Sequence, residues 1–402
     1  MKQVRIGIIR ESKIPPDSRV ALTPAQCKRL LSENTSLEIY LQPSKHRCIP
    51  AQEYSSAGVR VREDMTNCDI LMAIKEVPIS NLISNKTYTF FSHTIKKQPK
   101  NRDLLKQILV KKINLIDYEC LTNDEGARLA GFGRIAGMVG AHNAFWTWGK
   151  RTGAFKLKRA FEFDDLDDVT KAYKKVKLPP IKIVLTGTGS AATGAKEMLD
   201  SIGVPSVSSA DFLKKKYRKP VYLQLDADQL YAHRKNKKFE LQDFIDHPGN
   251  YKSVFDKYLM DTDMLINAIY WDPGADKLFT KEQMKDKKFS IQVISDIACD
   301  VNGAIPSTIR ASNIENPVYG YSVEKESIVQ PYNGEGIDIM AIDNLPNELP
   351  KDASIDFGED LMDNVMSFLI RDMDHEVIQR AMISKDGSLM KNFEYLDTYA
   401  NS

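Results

Sequence analysis

Short apolar runs alternate with amphipathic stretches of helical spacing along most of the chain. The first run, Val4 to Ile9, predicts a buried strand. Pro24 to Ser32, opened by Thr23 as a cap with proline at the first helical position, predicts a helix, and Leu37 to Leu41 a second strand. Strands over 69–74, 87–91 and 113–116 follow, with a helix over 101–112 between the last two. This rhythm of strand, helix, strand means a parallel sheet covered on both faces. From Gly131 the pattern changes: residues 133–149 read as one long helix rich in small residues, able to pack closely and taken as the bridge into a second domain. The stretch from Asp164 to Val176 carries acids in its first turn and lysines in its last, so it predicts an exposed helix complementing its own dipole.

The second domain opens with a buried strand, Ile181 to Leu185, that runs into Gly187, Thr188, Gly189, Ser190, Ala191 and Ala192 and then into a helix. Gly187 permits a tight turn, Gly189 leaves room for a pyrophosphate, and Ala192 is small enough for helix against strand. Placed after a strand and before a helix, this turn predicts dinucleotide binding. The acid expected after the next strand is Asp211, whose carboxylate would accept the ribose hydroxyls of NAD and repel the extra phosphate of NADP. Lys214 to Lys216 lie just beyond and could receive that phosphate, so NAD is the expectation and NADP the alternative. Strands over 264–269 and 291–294 continue the sheet, the second ending at Asp296, a further candidate on the ligand side. The run Ile337 to Ile342 and an amphipathic helix over 357–379 then return to complete the first domain. The expected fold is α/β: two Rossmann-like, doubly wound, parallel-sheet domains with the active site in the cleft between them. Residues 1–135 and 337–402 form the discontinuous substrate and catalytic domain, and 136–336 the dinucleotide-binding domain.

Composition narrows the class. A chain of 402 residues is long enough for two ordinary cores, and 56 Lys and Arg against 54 Asp and Glu give a net charge of +2, so no global field favours nucleic acid or an anionic membrane. The basic runs Lys214 to Lys219 and His233 to Lys238 are local and read as solvated loops. The apolar stretch at the N-terminus is too short for a signal-peptide core, and no segment approaches a membrane span. Five cysteines, odd in number and without a Cys-x-x-Cys pairing, argue for reduced thiols and against structural zinc. A cytoplasmic enzyme acting on small molecules, without a metal site, is the expectation.

The chemistry concentrates at two strand ends. The run Leu71 to Ile74 ends at Lys75 and Glu76, the run Thr87 to Ser92 ends at His93, and Lys96 follows within a turn. Alone, such a lysine is usually solvated and such a histidine usually structural. Delivered by neighbouring strands, they supply two bases of different strength beside a further cation, which suits proton transfers on an amine bearing carboxylates.

Six segments in order carry a family resemblance: Arg10 to Pro24, Ile74 to Pro78, Phe90 to Gln98, Leu115 to Glu119, the glycine turn, and Ile342 to Pro346. Together they resemble the lysine-forming saccharopine dehydrogenases, and the Phe90 to Lys96 and Thr186 to Ser190 segments are most similar to the lysine–ketoglutarate reductase half of the bifunctional animal and plant enzymes. Both belong to a superfamily shared with alanine dehydrogenase and the nicotinamide nucleotide transhydrogenases. The resemblance implies interconversion of saccharopine with L-lysine and 2-oxoglutarate by hydride transfer to or from NAD(P). It assigns Lys75 as the base for the substrate amine, His93 as the acid-base group for hydrating the imine, and Glu76 and Glu119 as carboxylates that tune them. It assigns Arg19, Lys96, Arg128 and, through a one-residue shift, Lys13 to the substrate carboxylates. A lysine serves as a base near neutrality only if burial or a neighbouring cation lowers its pKa, whereas Glu76 pushes the other way. Which prevails is open in the sequence, as is the choice between saccharopine and a small 2-oxo acid.

Overall fold

The computed structural model describes residues 3–401. The expected apolar runs form β1 (Val4–Ile8), β2 (Leu37–Leu41), β4 (Ile70–Met72), β5 (Thr87–Phe90) and β6 (Asn114–Asp117), and a short strand that was not expected, β3 (Arg60–Val61), joins them, all parallel, in the order β6-β5-β4-β1-β2-β3. Side chains alternate between two cores as the period of a strand requires. Ile70 and Met72 join Ile6, Ile8, Ile39, Phe357 and Leu361 on one face, while Leu71 joins Tyr88, Phe90, Leu105 and Leu115 on the other. The Thr23 cap is observed: its hydroxyl accepts from the Gln26 amide, and Gln26 reaches back to the Thr23 amide.

The chain divides into two units, one built from the residues up to Phe132 and from Pro350 onward, the other from Gly133–Leu349. In the second, β7 (Lys182–Thr186), β8 (Val221–Leu225), β11 (Met264–Asn267), β12 (Val293–Asp296) and β15 (Ile337–Met340) are parallel, in the order β15-β12-β11-β7-β8. A separate hairpin-like pair, β9 (Tyr231–His233) and β10 (Tyr251–Ser253), lies between β8 and β11 in sequence. Val184, Leu223, Leu265, Ile294 and Ile339 share one core under the sheet.

Several expectations are corrected. Both sheets are mixed, because antiparallel strands close one edge of each. In the second unit β13 (Val318–Ser322) and β14 (Ser327–Val329) extend the sheet beyond β15, and in the first β16 (Met382–Lys385) and β17 (Ser388–Leu389) extend it beyond β6. The run at 337 stays in the second unit, held between β12 and β13, so the return begins at Pro350. The helix expected over 133–149 runs Gly133–Thr152 and is the first element of the second unit, not a bridge. Its small residues serve a close crossing with the helix Ser190–Ser201: a Cβ on Gly137 would strike the Ala191 carbonyl, and one on Gly194 the Arg134 carbonyl. The single helix expected over 357–379 is three, Pro350–Asn364, Met366–Arg371 and Glu376–Ala381. The chain breaks at Asp372, and His375 restarts it by accepting the Val377 amide on Nδ1 while its ring stacks on Phe368 with centroids 3.5 Å apart. Apart from Lys214, which ends a short helix, and the buried His233, which ends β9, both basic runs are loops and mostly exposed.

Candidate active site

In the first sheet β1 pairs with β2 on one side and β4 on the other, so the connections diverge between β1 and β4. Ligands of open α/β sheets bind at such a switch point, beyond the carboxyl ends of the strands. Glu11 leaves β1 there, and Lys75 leaves β4. The Glu11 carboxylate accepts the amides of Ile74 at 2.6 Å and Lys75 at 2.9 Å, tying the two strand ends together. Asp117 does the same one strand further on. Its Oδ2 accepts the Ser92 amide at 3.0 Å and the Ser92 hydroxyl, and its Oδ1 the Glu119 amide at 2.8 Å. Between them His93 adopts φ +53°, a left-handed conformation that costs an ordinary residue about 1 kcal/mol and turns the chain sharply.

These turns bring the expected catalytic and substrate residues of the first unit together. His93 Nδ1 lies 3.4 Å from Glu119 Oε2, and its Nε2 lies 4.0 Å from Glu76 Oε1. Lys96 and Arg128 both meet Glu119 Oε1, at 2.9 and 3.4 Å, and Lys13 meets Glu76 Oε2 at 2.8 Å. The result is an unbroken run from Lys13 through Glu76, His93 and Glu119 to Lys96 and Arg128. Lys96 and Arg128 are 49% exposed, so their charges remain within reach of an anion from solvent. Arg19 is the buried member of the set. It forks onto Asp17 through Nε at 2.9 Å and Nη2 at 2.6 Å, and lies over the Phe132 ring at 4.1 Å. Its charge also acts on Lys75.

Burial governs the proton affinities, with partners correcting it. Among the described residues the Lys75 ammonium has no hydrogen-bond or ion-pair partner, and its pKa is lowered, first by burial and then by the Arg19 charge, against the opposing pull of Asp17. Lys13 lowers it further, and Glu76 opposes with the smallest effect. In the competition left open by the sequence, the effects that lower the Lys75 pKa outweigh the opposing pull of Glu76. Burial alone would raise Glu119, but hydrogen bonds from His93 and Lys96, and then their charges, bring it down to about 2. Burial pushes the Glu11 carboxyl up to about 7 and the Asp117 carboxyl up to about 6.

In the second unit the divergence lies between β7 and β11, and the glycine turn leaves β7 there. Gly187 has φ +92°, donates its amide to the Leu225 carbonyl at 2.7 Å, and has the Ala268 carbonyl where a Cβ would need to sit. Gly189 opens outward: nothing lies within 4 Å of the position a Cβ would take, and no side chain caps the helix Ser190–Ser201 that begins after it. Ala192 is fully buried. Free amides at a helix start beside an open glycine suit a pyrophosphate, so these residues fit a dinucleotide.

The two acids expected to accompany the turn are corrected. Asp211 follows no strand; it stands in the first turn of a short surface helix, Ser209–Lys214, with its carboxylate 2.9 Å from Lys215. Lys214 to Lys216 precede β8 and lie toward its N-terminal end, away from the turn. The carboxylate that follows β8 is Asp226, whose Oδ1 accepts the Thr188 hydroxyl of the glycine turn at 3.0 Å. Asp296 sits at the end of β12 but is buried and turned inward. Its oxygens accept Asn267 at 2.8 Å and Thr308 at 2.6 Å, Asn267 in turn accepts Thr186 at 2.7 Å, and burial raises its carboxyl to about 6. This brace joins the ends of β7, β11 and β12. Among the described residues no group of three or more His, Cys, Asp or Glu could hold a metal ion, and no helix is long and apolar enough to cross a membrane.

Comparison with known proteins gives the class first. Residues 7–139 match the family model of the alanine dehydrogenase/PNT N-terminal domain. An L-alanine dehydrogenase superposes with a TM-score of 0.65 over 98% of this chain and 99% of its own, at 15% identity. A transhydrogenase from Sinorhizobium meliloti gives 0.61 over 96% and 100%, at 17% identity. The fold is therefore theirs, and residues 7–139 are similar to the alanine dehydrogenase/PNT N-terminal domain. Curated relatives are similar over nearly the whole chain. The alpha-aminoadipic semialdehyde synthase of Arabidopsis thaliana is 29% identical over 97% of this chain, and that of Mus musculus 27% over 99%. The chain spans 41% and 48% of those two proteins, about half their length. The saccharopine dehydrogenase [NAD(+), L-lysine-forming] of Candida albicans is 25% identical over 90% of this chain and 92% of its own.

Proposed function

We propose that the protein is a nicotinamide-dependent oxidoreductase acting on a CH–NH bond, and that it interconverts saccharopine with L-lysine and 2-oxoglutarate. The observation that carries this reading is a half-buried Lys75 amine of lowered pKa, without a hydrogen-bond or ion-pair partner among the described residues, beside a run of cations on two carboxylates. The neutral amine of Lys75 takes the proton from the secondary amine of saccharopine as hydride leaves the adjacent carbon. His93, stationed between Glu76 and Glu119, serves the following step, in which water adds to the imine and the carbon–nitrogen bond breaks. Saccharopine carries three carboxylates. Arg128 can grip one at two points, Lys96 and Lys13 receive the others as point charges, and Arg19 acts indirectly by depressing Lys75.

The coenzyme supplies hydride acceptance or donation when bound. The turn from Gly187 to Ala192 would hold its pyrophosphate, and Asp226, in place of Asp211, its ribose hydroxyls. A second acid, Asp228, follows two residues on, which supports NAD over NADP. The Candida albicans relative, named for NAD(+) and L-lysine formation, agrees with both parts of this reading. The test is oxidation of NADH or NADPH followed optically with 2-oxoglutarate plus lysine, and separately with pyruvate plus ammonia. Turnover in the first mixture with NADH is expected. Turnover only in the second would transfer the protein to the alanine dehydrogenase reaction, and none in either would leave a nucleotide-binding regulator.

A further inference from the structure

The role of Glu11 follows from neither the family motifs nor the charge run. Its two oxygens accept two consecutive backbone amides, those of Ile74 and Lys75, from a segment more than sixty residues away in sequence. We propose that Glu11 is a positioning residue for Lys75, and that only its ionised carboxylate holds the end of β4 so that the amine is presented to substrate. The proposal rests on the reading of Lys75 as the substrate base. A carboxylate has strong acceptor capacity for both amides; a carboxylic acid turns one oxygen into a donor and a much poorer acceptor for the second N–H. One clasp is then weakened, and a shift of a reacting group by a fraction of a bond length is enough to slow a reaction by about tenfold or more.

The groups facing Glu11 come from every neighbouring element. Asp17 and Arg19 belong to its own loop, Lys75 and Ile74 to the end of β4, Arg47 to the chain beyond β2, and Tyr118 to the chain beyond β6. Burial and Asp17 favour the protonated form; the two amides and Arg19 favour the ionised one, and the balance falls at about 7. Two pH dependences of opposite sign follow. Presentation of Lys75 is gained as pH rises through about 7, because the ionised form does the clasping. Stability runs the other way: a carboxyl raised in the folded chain contributes stability below its unfolded value of 4.5 that is lost as pH rises through about 7. A carboxylate with a merely structural role would add no acid-side limb beyond the one that protonation of the Lys75 base itself gives.

The test uses the full chain and Glu11→Gln, whose amide keeps the shape but offers one acceptor and one donor. Hydrogen exchange should quicken by about tenfold at the Ile74 and Lys75 amides and remain unchanged at Ser92 and Glu119, which Asp117 holds. Acylation of Lys75 by an amine-directed reagent, read by mass spectrometry, should change its pH profile. Turnover with lysine and 2-oxoglutarate should fall by about tenfold in kcat, with NADH affinity unchanged and the acid limb near 7 removed. In the wild-type protein, protection of the same two amides, corrected for intrinsic exchange, should decline as pH falls below about 7. That measurement decides the matter even if the variant fails to fold. Wild-type exchange, acylation and acid limb in Glu11→Gln, or pH-independent protection in the wild type, overturns the proposal. Should wild-type protein not turn over lysine and 2-oxoglutarate at all, the reaction assignment fails, while exchange and acylation still judge Glu11.

Discussion

Glu119→Gln removes a charge and leaves the shape, and Glu119 is the hub on which His93, Lys96 and Arg128 converge. Its carboxyl falls from the ordinary 4.5 to about 2, because hydrogen bonds and charges from His93 and Lys96 outweigh the burial that would raise it. At about 1.4 kcal/mol per tenfold in proton affinity, that displacement corresponds to roughly 3 kcal/mol. Both long cations are half exposed and screened by solvent, so about 1.5 kcal/mol is the expected contribution. For a carboxyl lowered on folding, the stabilisation is complete above 4.5 and disappears as pH falls toward about 2. Urea unfolding should therefore show the Gln variant less stable by about 1–2 kcal/mol near neutrality, with the gap narrowing at about pH 3. Equal stability at neutral pH, or a gap that does not depend on pH, would refute the account of Glu119 as the electrostatic centre of the site.

Lys75→Met and His93→Gln should each cut turnover by about 10²–10⁴ while NADH titration stays near wild type, since the glycine turn belongs to the other unit; loss of NADH binding in both would make them structural. The primary isotope effect on hydride transfer should differ between the two, because they serve different steps. Asp226→Ala should weaken NADH binding and relax discrimination against NADPH, whereas Asp211→Ala should change neither; the reverse pattern would restore the first assignment. Gly194→Ala would drive a methyl group into the Arg134 carbonyl of the crossing helix, and thermal melting should register a loss of about 3 kcal/mol or more.

What the sequence disclosed was local. Strands and the glycine turn were legible because period-two burial and a glycine between strand and helix are written in consecutive residues, and Lys75, His93, Lys96 and Glu119 were found because they stand at the ends of such strands. Asp226 was missed because a short extra helix, Ser209–Lys214, intervenes before β8, carrying the strand-end acid well past the interval at which it was sought. Glu11, Asp17 and Asp117 were passed over because their meaning lies in partners. The amides that Glu11 accepts are 63 and 64 residues away, and a carboxylate that clasps backbone has no motif. Arg19 shows the same limit: the family pattern marks an arginine, and only folding shows Asp17 forked beneath it.

The distribution of charge bears on substrate size more than any single residue does. Each exposed cation of the site already faces an internal carboxylate, Lys13 on Glu76, and Lys96 and Arg128 on Glu119. An incoming carboxylate therefore competes for cations that are held in place and only partly neutralised, and binding becomes an exchange of anionic partners without burial of new unpaired charge. A small 2-oxo acid brings one carboxylate and would engage one such cation, leaving the other pairs as they stand. A substrate with three carboxylates uses all of them, and it does so around the single amine that has no partner of its own, Lys75. On the proposed reading, that coincidence of several exchangeable cations with one unpaired base is what favours the larger, secondary-amine substrate.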